Sequence, residues 1–245
     1  MSIPAPSLEV PAHVRALAGD SRLEPVWANT IGGLTFRAMP AGRHPLYIKW
    51  GPRNDESTMR DEAERMRWAG RWIRVPEIVE EGRDATHEWL VTAAIDGESA
   101  VHPRWLKQPE TAVRAVGEGL RALHEALPVD ECPWDWSVET RIANAARRGI
   151  RLPERFRDAP PADRLVVCHA DACCPNTLLD HDGRWLAHVD LGLLGVGDRW
   201  ADIAVASMST GWNYGPGWED ALLEAYGIEP DRERLAFYRD LWNAT

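Results

Sequence analysis

One stretch near the middle of the chain constrains the fold more than any other. An apolar run, Leu165-Val166-Val167-Cys168, reads as a buried strand and opens into His169-Ala170-Asp171-Ala172-Cys173-Cys174-Pro175-Asn176. Fourteen residues beyond Asn176, a second apolar strand delivers Val189-Asp190-Leu191-Gly192. Two strands thus present two carboxylates and a carboxamide at their ends. Pro175 can continue neither a helix nor a ladder, which keeps the Asn176 segment a loop.

These residue types match what phosphoryl transfer asks of a protein, which is mainly positioning and neutralisation of charge. The spacing H-x-D-x-x-x-x-N is the catalytic-loop pattern of protein kinases, and Asp-Leu-Gly is a variant of their D-F-G. In that reading Asp171 orients the attacking hydroxyl and takes its proton. Asn176 and Asp190 offer hard oxygen ligands to Mg2+ beside a nucleoside triphosphate, ATP or GTP. His169 is expected to brace the loop by hydrogen bonds.

The preceding residues are consistent with this. Leu23 to Ala28 and Leu34 to Ala38 read as strands around a turn at Asn29 to Gly33. Gly32 and Gly33 serve either as a hairpin turn or as a loop over phosphates. Leu46 to Trp50 alternates, with Leu46, Ile48 and Trp50 on one face and Lys49 on the other. Lys49 occupies the third strand after a glycine turn, the place of the phosphate-gripping kinase lysine. A loop from Gly51 to Asn54 leads to a helix from about Ser57 or Thr58 to Gly70, with Met59, Ala63, Met66 and Ala69 on its apolar face. Glu62 on it lies thirteen residues after Lys49 and can hold the lysine against nucleotide, with Asp61 and Glu64 as competing acids. Two further strands, from Val75 and from Glu88, flank a turn at Gly82-Arg83-Asp84.

Residues 93–97 then end the sheet, and the apolar period becomes helical. A nucleotide-binding lobe over residues 1–95 and a catalytic, substrate-binding lobe over residues 96–245 follow. Backbone at the hinge, Ala93 and Ile95, is the expected contact for the adenine ring. Glu110 to Ala126 traces a helix face through Ala112, Val113, Val116, Leu120 and Leu123. His124 at its end reads as structural. Val138 to Arg148 is a second helix, and the span from Arg141 to Arg164 carries seven Arg against three acids.

Composition excludes several classes. A net charge of −10 argues against nucleic acid as a partner, because phosphate backbones are bound by Lys and Arg. No apolar run approaches a bilayer-crossing length, so no membrane partner is expected. Met1 to Pro11 lacks the basic start and apolar stretch of a secretory leader. The four cysteines have no C-x-x-C spacing and read as reduced thiols of a cytoplasmic protein.

The segments Val167 to Asp171, Asn176 to Leu179, His188 to Gly192 and Gly195 to Ala204 closely resemble the aminoglycoside phosphotransferases. The likeness extends to Lys49, Glu62-x-x-Arg65, Leu123-His124, Cys132-Pro133 and Pro230 to Tyr238. The resemblance implies an α+β, bilobal protein-kinase-like fold, with a small antiparallel-sheet N-lobe and a larger, mainly helical C-lobe. It implies phosphorylation of a hydroxyl on an aminoglycoside antibiotic, hence resistance, and Asp198 and Asp202 as supports of the loop. Two departures are expected to matter. The family usually has Gly where this chain has Ala170, and many members end in acids where this chain has Trp242 and Asn243. Glu219, Asp220 and Asp240 are the remaining candidates for holding a cationic substrate. A kinase for another small hydroxylated metabolite or antibiotic is the alternative, and a non-catalytic nucleotide-binding protein a third.

Overall fold

The computed structural model describes residues 8–29, 31–53 and 58–245. The readings over Met1–Pro11, Asn29–Gly33 and the 51–58 region therefore fall partly outside the described residues. The chain divides into two units, residues 1–68 with 76–95 and residues 69–75 with 96–245. Residues 69–75, assigned from sequence to the first lobe, group with the second.

In the first unit α1 (Ala12–Ala18) precedes β1 (Arg22–Ala28), β2 (Leu34–Met39) and β3 (Leu46–Pro52). Then come α2 (Met59–Ala69), β4 (Ile78–Arg83) and β5 (His87–Ala93). The sheet is antiparallel throughout, in the order β1-β2-β3-β5-β4. Side chains alternate across a strand, so Ile48 joins Phe36, Ala38 and Val91 beneath Val14 and Ala18 of α1. Leu46 and Trp50 pack against the same cluster, which leaves Lys49 on the opposite face. At the start of α2, Thr58 Oγ1 accepts the Asp61 N–H at 3.0 Å, and the Asp61 carboxylate accepts the Thr58 N–H at 3.1 Å. This reciprocal capping satisfies donors that a helix end leaves open.

The turn expected at Gly82-Arg83-Asp84 lies two residues later. Asp84 Oδ1 accepts the N–H groups of Thr86 and His87, both at 2.7 Å, and so closes a turn after Arg83. Gly82 stays in β4, where a Cβ would stand 2.4 Å from the Trp89 ring. The glycine marks a close side-chain approach, not a bend.

The second unit begins with β6 (Glu98–Ser99), α3 (Pro103–Leu106), α4 (Pro109–Ala126) and α5 (Val138–Arg147). Four short strands follow: β7 (Leu165–Cys168), β8 (Thr177–Leu179), β9 (Trp185–His188) and β10 (Gly195–Asp198). Helices α6 (Arg199–Tyr214), α7 (Glu219–Tyr226) and α8 (Arg232–Ala244) complete it. β6, β8 and β9 form one antiparallel sheet, and β7 pairs with β10. α4 buries Val113, Val116, Leu120 and Leu123. Each such leucine contributes about 1.5–3 kcal/mol by leaving water. Gly117 lets α4 approach α7, since a Cβ there would lie 2.7 Å from the Leu222 carbonyl oxygen. Among the described residues no helix is long and apolar enough to cross a membrane.

Candidate active site

β7 ends at Cys168, paired with Gly195, and releases the loop that carries His169, Asp171 and Asn176. The His169 ring ties this loop to the exit of β9. Its Nδ1 accepts the Asp171 N–H at 3.2 Å and its Nε2 lies 3.0 Å from the Val189 carbonyl oxygen. That pattern assigns the proton to Nε2, which donates. Asn176 Nδ2 donates to the Asp171 carbonyl at 2.9 Å and to Asp171 Oδ2 at 3.2 Å. The Val189 N–H in turn reaches the Asn176 carbonyl at 3.0 Å. Asp171 and Asn176 are therefore held by one short network that reaches Val189, the residue before the exposed Asp190. With the Asn176 amide nitrogen turned to Asp171, its Oδ1 is the atom that suits a cation.

Among the described residues Ala170 and Asp190 are the non-glycine positions with positive φ, at 70° and 65°. An L-residue in this region carries roughly 1–2 kcal/mol of strain. Such strain gathers where function dictates the backbone, and here it brackets the loop. Ala170 is the position at which the resembled family usually has glycine, and its φ gives the physical reason.

Burial pushes the Asp171 carboxyl above its ordinary value, against the lowering hydrogen bond of the Cys173 thiol. The Asp190 charge raises it further, while His169 and the Asn176 amide act the other way.

Beneath the loop lies a fully buried brace. Asp202 Oδ2 accepts the His169 N–H at 2.5 Å and Oδ1 accepts the Ala170 N–H at 2.9 Å. His124 Nε2 lies 3.0 Å from Asp202 Oδ2, and its Nδ1 lies 2.8 Å from the Tyr226 hydroxyl. Burial alone would raise the Asp202 carboxyl, but the bonds from His124 and the His169 N–H outweigh it and hold the group below its ordinary value. His124, Asp202 and Cys168 cluster closely enough to suggest metal ligands. Their hydrogen bonds and the strongly raised Cys168 thiol, a consequence of burial, make them a structural brace instead. A second clasp, absent from the sequence reading, joins the loop to α6: Ser209 Oγ accepts the Cys174 N–H at 2.8 Å, and Asn213 Nδ2 donates to Ser209 Oγ at 3.2 Å.

Asp198 stands apart from the loop it was expected to support. Its carboxylate caps α6 through the Trp200 N–H at 3.1 Å and accepts the Asp163 N–H at 3.1 Å. It steadies the approach to β7, because Asp163 lies just before that strand and Asp198 pairs with its first residue, Leu165. The candidate substrate acids also change character. Asp240 pairs with Arg155 at 3.3 Å, and Glu219 bonds Arg239 and Ser207. Arginines therefore pair with both acids, Arg155 with Asp240 at the open surface, while Asp220 is exposed.

In the first unit, Lys49 Nζ meets both Glu62 carboxylate oxygens, at 2.6 and 2.8 Å. The side chains are 26% and 9% exposed, so the pair is well shielded from solvent. The competing acids are occupied otherwise, Asp61 in the cap of α2 and Glu64 with Arg60 at 3.0 Å. Gly32 and Gly33 lie in the β1–β2 hairpin turn, where Asn29 Oδ1 accepts the N–H groups of Ile31 and Gly33 at 3.1 and 2.6 Å. Ala93 ends β5, with its N–H on the Glu77 carbonyl at 2.8 Å, and Ile95 is the last residue of the unit.

A strained Asp/Asn/Asp constellation in one unit and a strand lysine paired with a helix glutamate in the other define a phosphotransferase. Residues 35–238 match the model of the phosphotransferase enzyme family, and the chain belongs to that family. It is 38% identical to an aminoglycoside 3'-phosphotransferase of Streptomyces fradiae, over 82% of this chain and 85% of the relative. The crystal structure of an aminoglycoside-3'-phosphotransferase of type VIII superposes with a TM-score of 0.77 at 30% identity, covering 95% of this chain and 97% of that one. An aminoglycoside phosphotransferase from Streptomyces rimosus, in complex with ADP and streptomycin, superposes with a TM-score of 0.72 at 28% identity, covering 95% and 96%.

Proposed function

We propose that this enzyme transfers the γ-phosphate of a nucleoside triphosphate to a hydroxyl of an aminoglycoside antibiotic, and so confers resistance to it. The observation that carries this reading is the hydrogen-bonded Asp171–Asn176 pair, with Asp190 next to the Val189 that it ties in, set in a chain 38% identical to an aminoglycoside 3'-phosphotransferase. Asp171 orients the acceptor hydroxyl and takes its proton as the new O–P bond forms. The bond from the γ-phosphorus to the bridging oxygen breaks, and the nucleoside diphosphate leaves. Asn176 Oδ1 and the Asp190 carboxylate, both hard oxygen donors, would hold Mg2+. When bound, that ion neutralises phosphate charge. Lys49, steadied by Glu62, is assigned to the phosphates, the Gly32-Gly33 turn to their cover, and the backbone of Ala93 and Ile95 to the base.

The test is transfer of labelled phosphate to a panel of aminoglycosides, with expression in a sensitive bacterium beside it. At least one member should be phosphorylated and tolerated. Chelation by EDTA should stop transfer and added Mg2+ restore it. Transfer undiminished by chelation would remove Asn176 and Asp190 from their assigned role. The arginine-paired Glu219 and Asp240 favour a second reading, a kinase for a less cationic hydroxylated compound. Resistance to no aminoglycoside, with transfer to such a compound, would select it.

The lysine–glutamate pair offers a separate check. A hydrogen bond to a charged group contributes about 1.5–3 kcal/mol. Glu62→Gln should therefore lower kcat/KM for the nucleotide about ten- to hundredfold. Glu64→Gln, on the exposed side of α2, should leave it within about twofold. Equal effects of the two changes would show that Glu62 acts only as part of the helix.

A further inference from the structure

Trp212 is an exposed large aromatic, with 60% of its surface open, on a helix whose residues 200–207 are buried almost throughout. Its position on α6 is informative. It lies three residues after Ser209, whose hydroxyl holds the Cys174 N–H two residues before Asn176. It also lies four residues after Met208, whose sulfur meets Asn243 Nδ2 of α8 at 3.9 Å. Residues three and four apart on a helix are neighbours on its surface. The indole therefore leaves α6 between the side that grips the Asp171 loop and the side that meets α8. The space beside it is open: a Cβ on Gly211 would meet nothing within 4 Å, and the same holds at Gly215 and Gly217. Of the candidate carboxylates on the neighbouring helices, Glu219 and Asp240 are already engaged by Arg239 and Arg155, while Asp220 is exposed.

We propose that Trp212 is an acceptor-positioning residue, and that its indole face stacks a ring of the aminoglycoside together with the cation that ring carries. An indole face binds both, the ring through apolar contact and the cation through the π-electron quadrupole. Stacking would act here beside the exposed Asp220, where Glu219 and Asp240 are already paired with arginines. The proposal rests on the reading of the enzyme as an aminoglycoside kinase.

The test is steady-state kinetics with the aminoglycosides that the wild-type enzyme phosphorylates. Trp212→Ala should raise the acceptor KM about tenfold, the order of one lost cation–π stack. The nucleotide KM should stay within twofold, and the thermal midpoint should not fall, because the side chain is mostly exposed. Trp212→Phe should recover most of the loss. An acceptor KM unchanged in Trp212→Ala overturns the stacking assignment while the kinase reading stands. A wild-type enzyme that phosphorylates no aminoglycoside overturns that reading, and this one with it.

Discussion

Asp171→Ala is expected to lower kcat by about 10²–10⁴-fold, the range that a positioned general base supplies. The carboxylate is contacted by Asn176 Nδ2 at 3.2 Å and by the Cys173 thiol, both in its own loop, and His169 orients the loop through the Asp171 N–H, which alanine keeps. Nucleotide affinity should therefore stay within about threefold, because Lys49 and Glu62 lie in the other unit. Single-turnover phosphate transfer alongside equilibrium nucleotide binding separates the two effects. A variant within tenfold of wild type in kcat would move the base elsewhere. Equal loss of binding and turnover would instead mean that the loop had collapsed.

Asp202→Ala should have the largest effect on stability. It removes the acceptor of the His169 N–H, the Ala170 N–H and the His124 ring at a fully buried site. Each stranded group costs about 1–3 kcal/mol, so for the three of them roughly 3–9 kcal/mol is at stake. Native domains hold only about 5–15 kcal/mol in total. For a chain of this length each kcal/mol moves Tm by about 2–4 °C. A fall of about 10 °C or more is expected by calorimetry, with loss of turnover because the strained Ala170 backbone loses its clamp. A shift under 3 °C would show that water replaces the carboxylate.

The same group should shape the acid limb of stability. The Asp202 carboxyl is held below its ordinary value in the folded enzyme. Its unfolded value is near 3.9. The unfolded chain therefore binds its proton first as the pH falls, and the contribution is complete above about pH 4 and lost through the depressed folded value. Asp202→Asn should flatten the decline of Tm below pH 4. It should also lower Tm at pH 7, because the Asn NH2 faces donors.

Much of this protein was legible before any coordinates. The spacing of His169, Asp171 and Asn176 between apolar strands, Asp190 fourteen residues on, and Lys49 on an alternating strand are local signals. Strand alternation and loop chemistry are properties of a few adjacent residues. The period change near Ile95 marked the unit boundary for the same reason, although residues 69–75 group with the second unit. The departure from the family's usual glycine at position 170 was visible in the sequence, but the positive φ that explains it is a property of the fold.

Contacts distant in sequence were illegible. Which of Asp61, Glu62 and Glu64 meets Lys49 depends on how α2 lies on the sheet, and helix phase alone leaves all three open. β6, β8 and β10 are two to four residues long, too short for a period to register. Whether Glu219 and Asp240 are free charges depends on Arg239 and Arg155, brought in by packing of α8 and the loop before β7. The sequence by itself determined the chemistry, because phosphoryl transfer needs particular groups at short spacing. Only the tertiary structure decided what braces those groups and which acids remain to greet a substrate, because those partners lie some 20 to 85 residues apart in the chain.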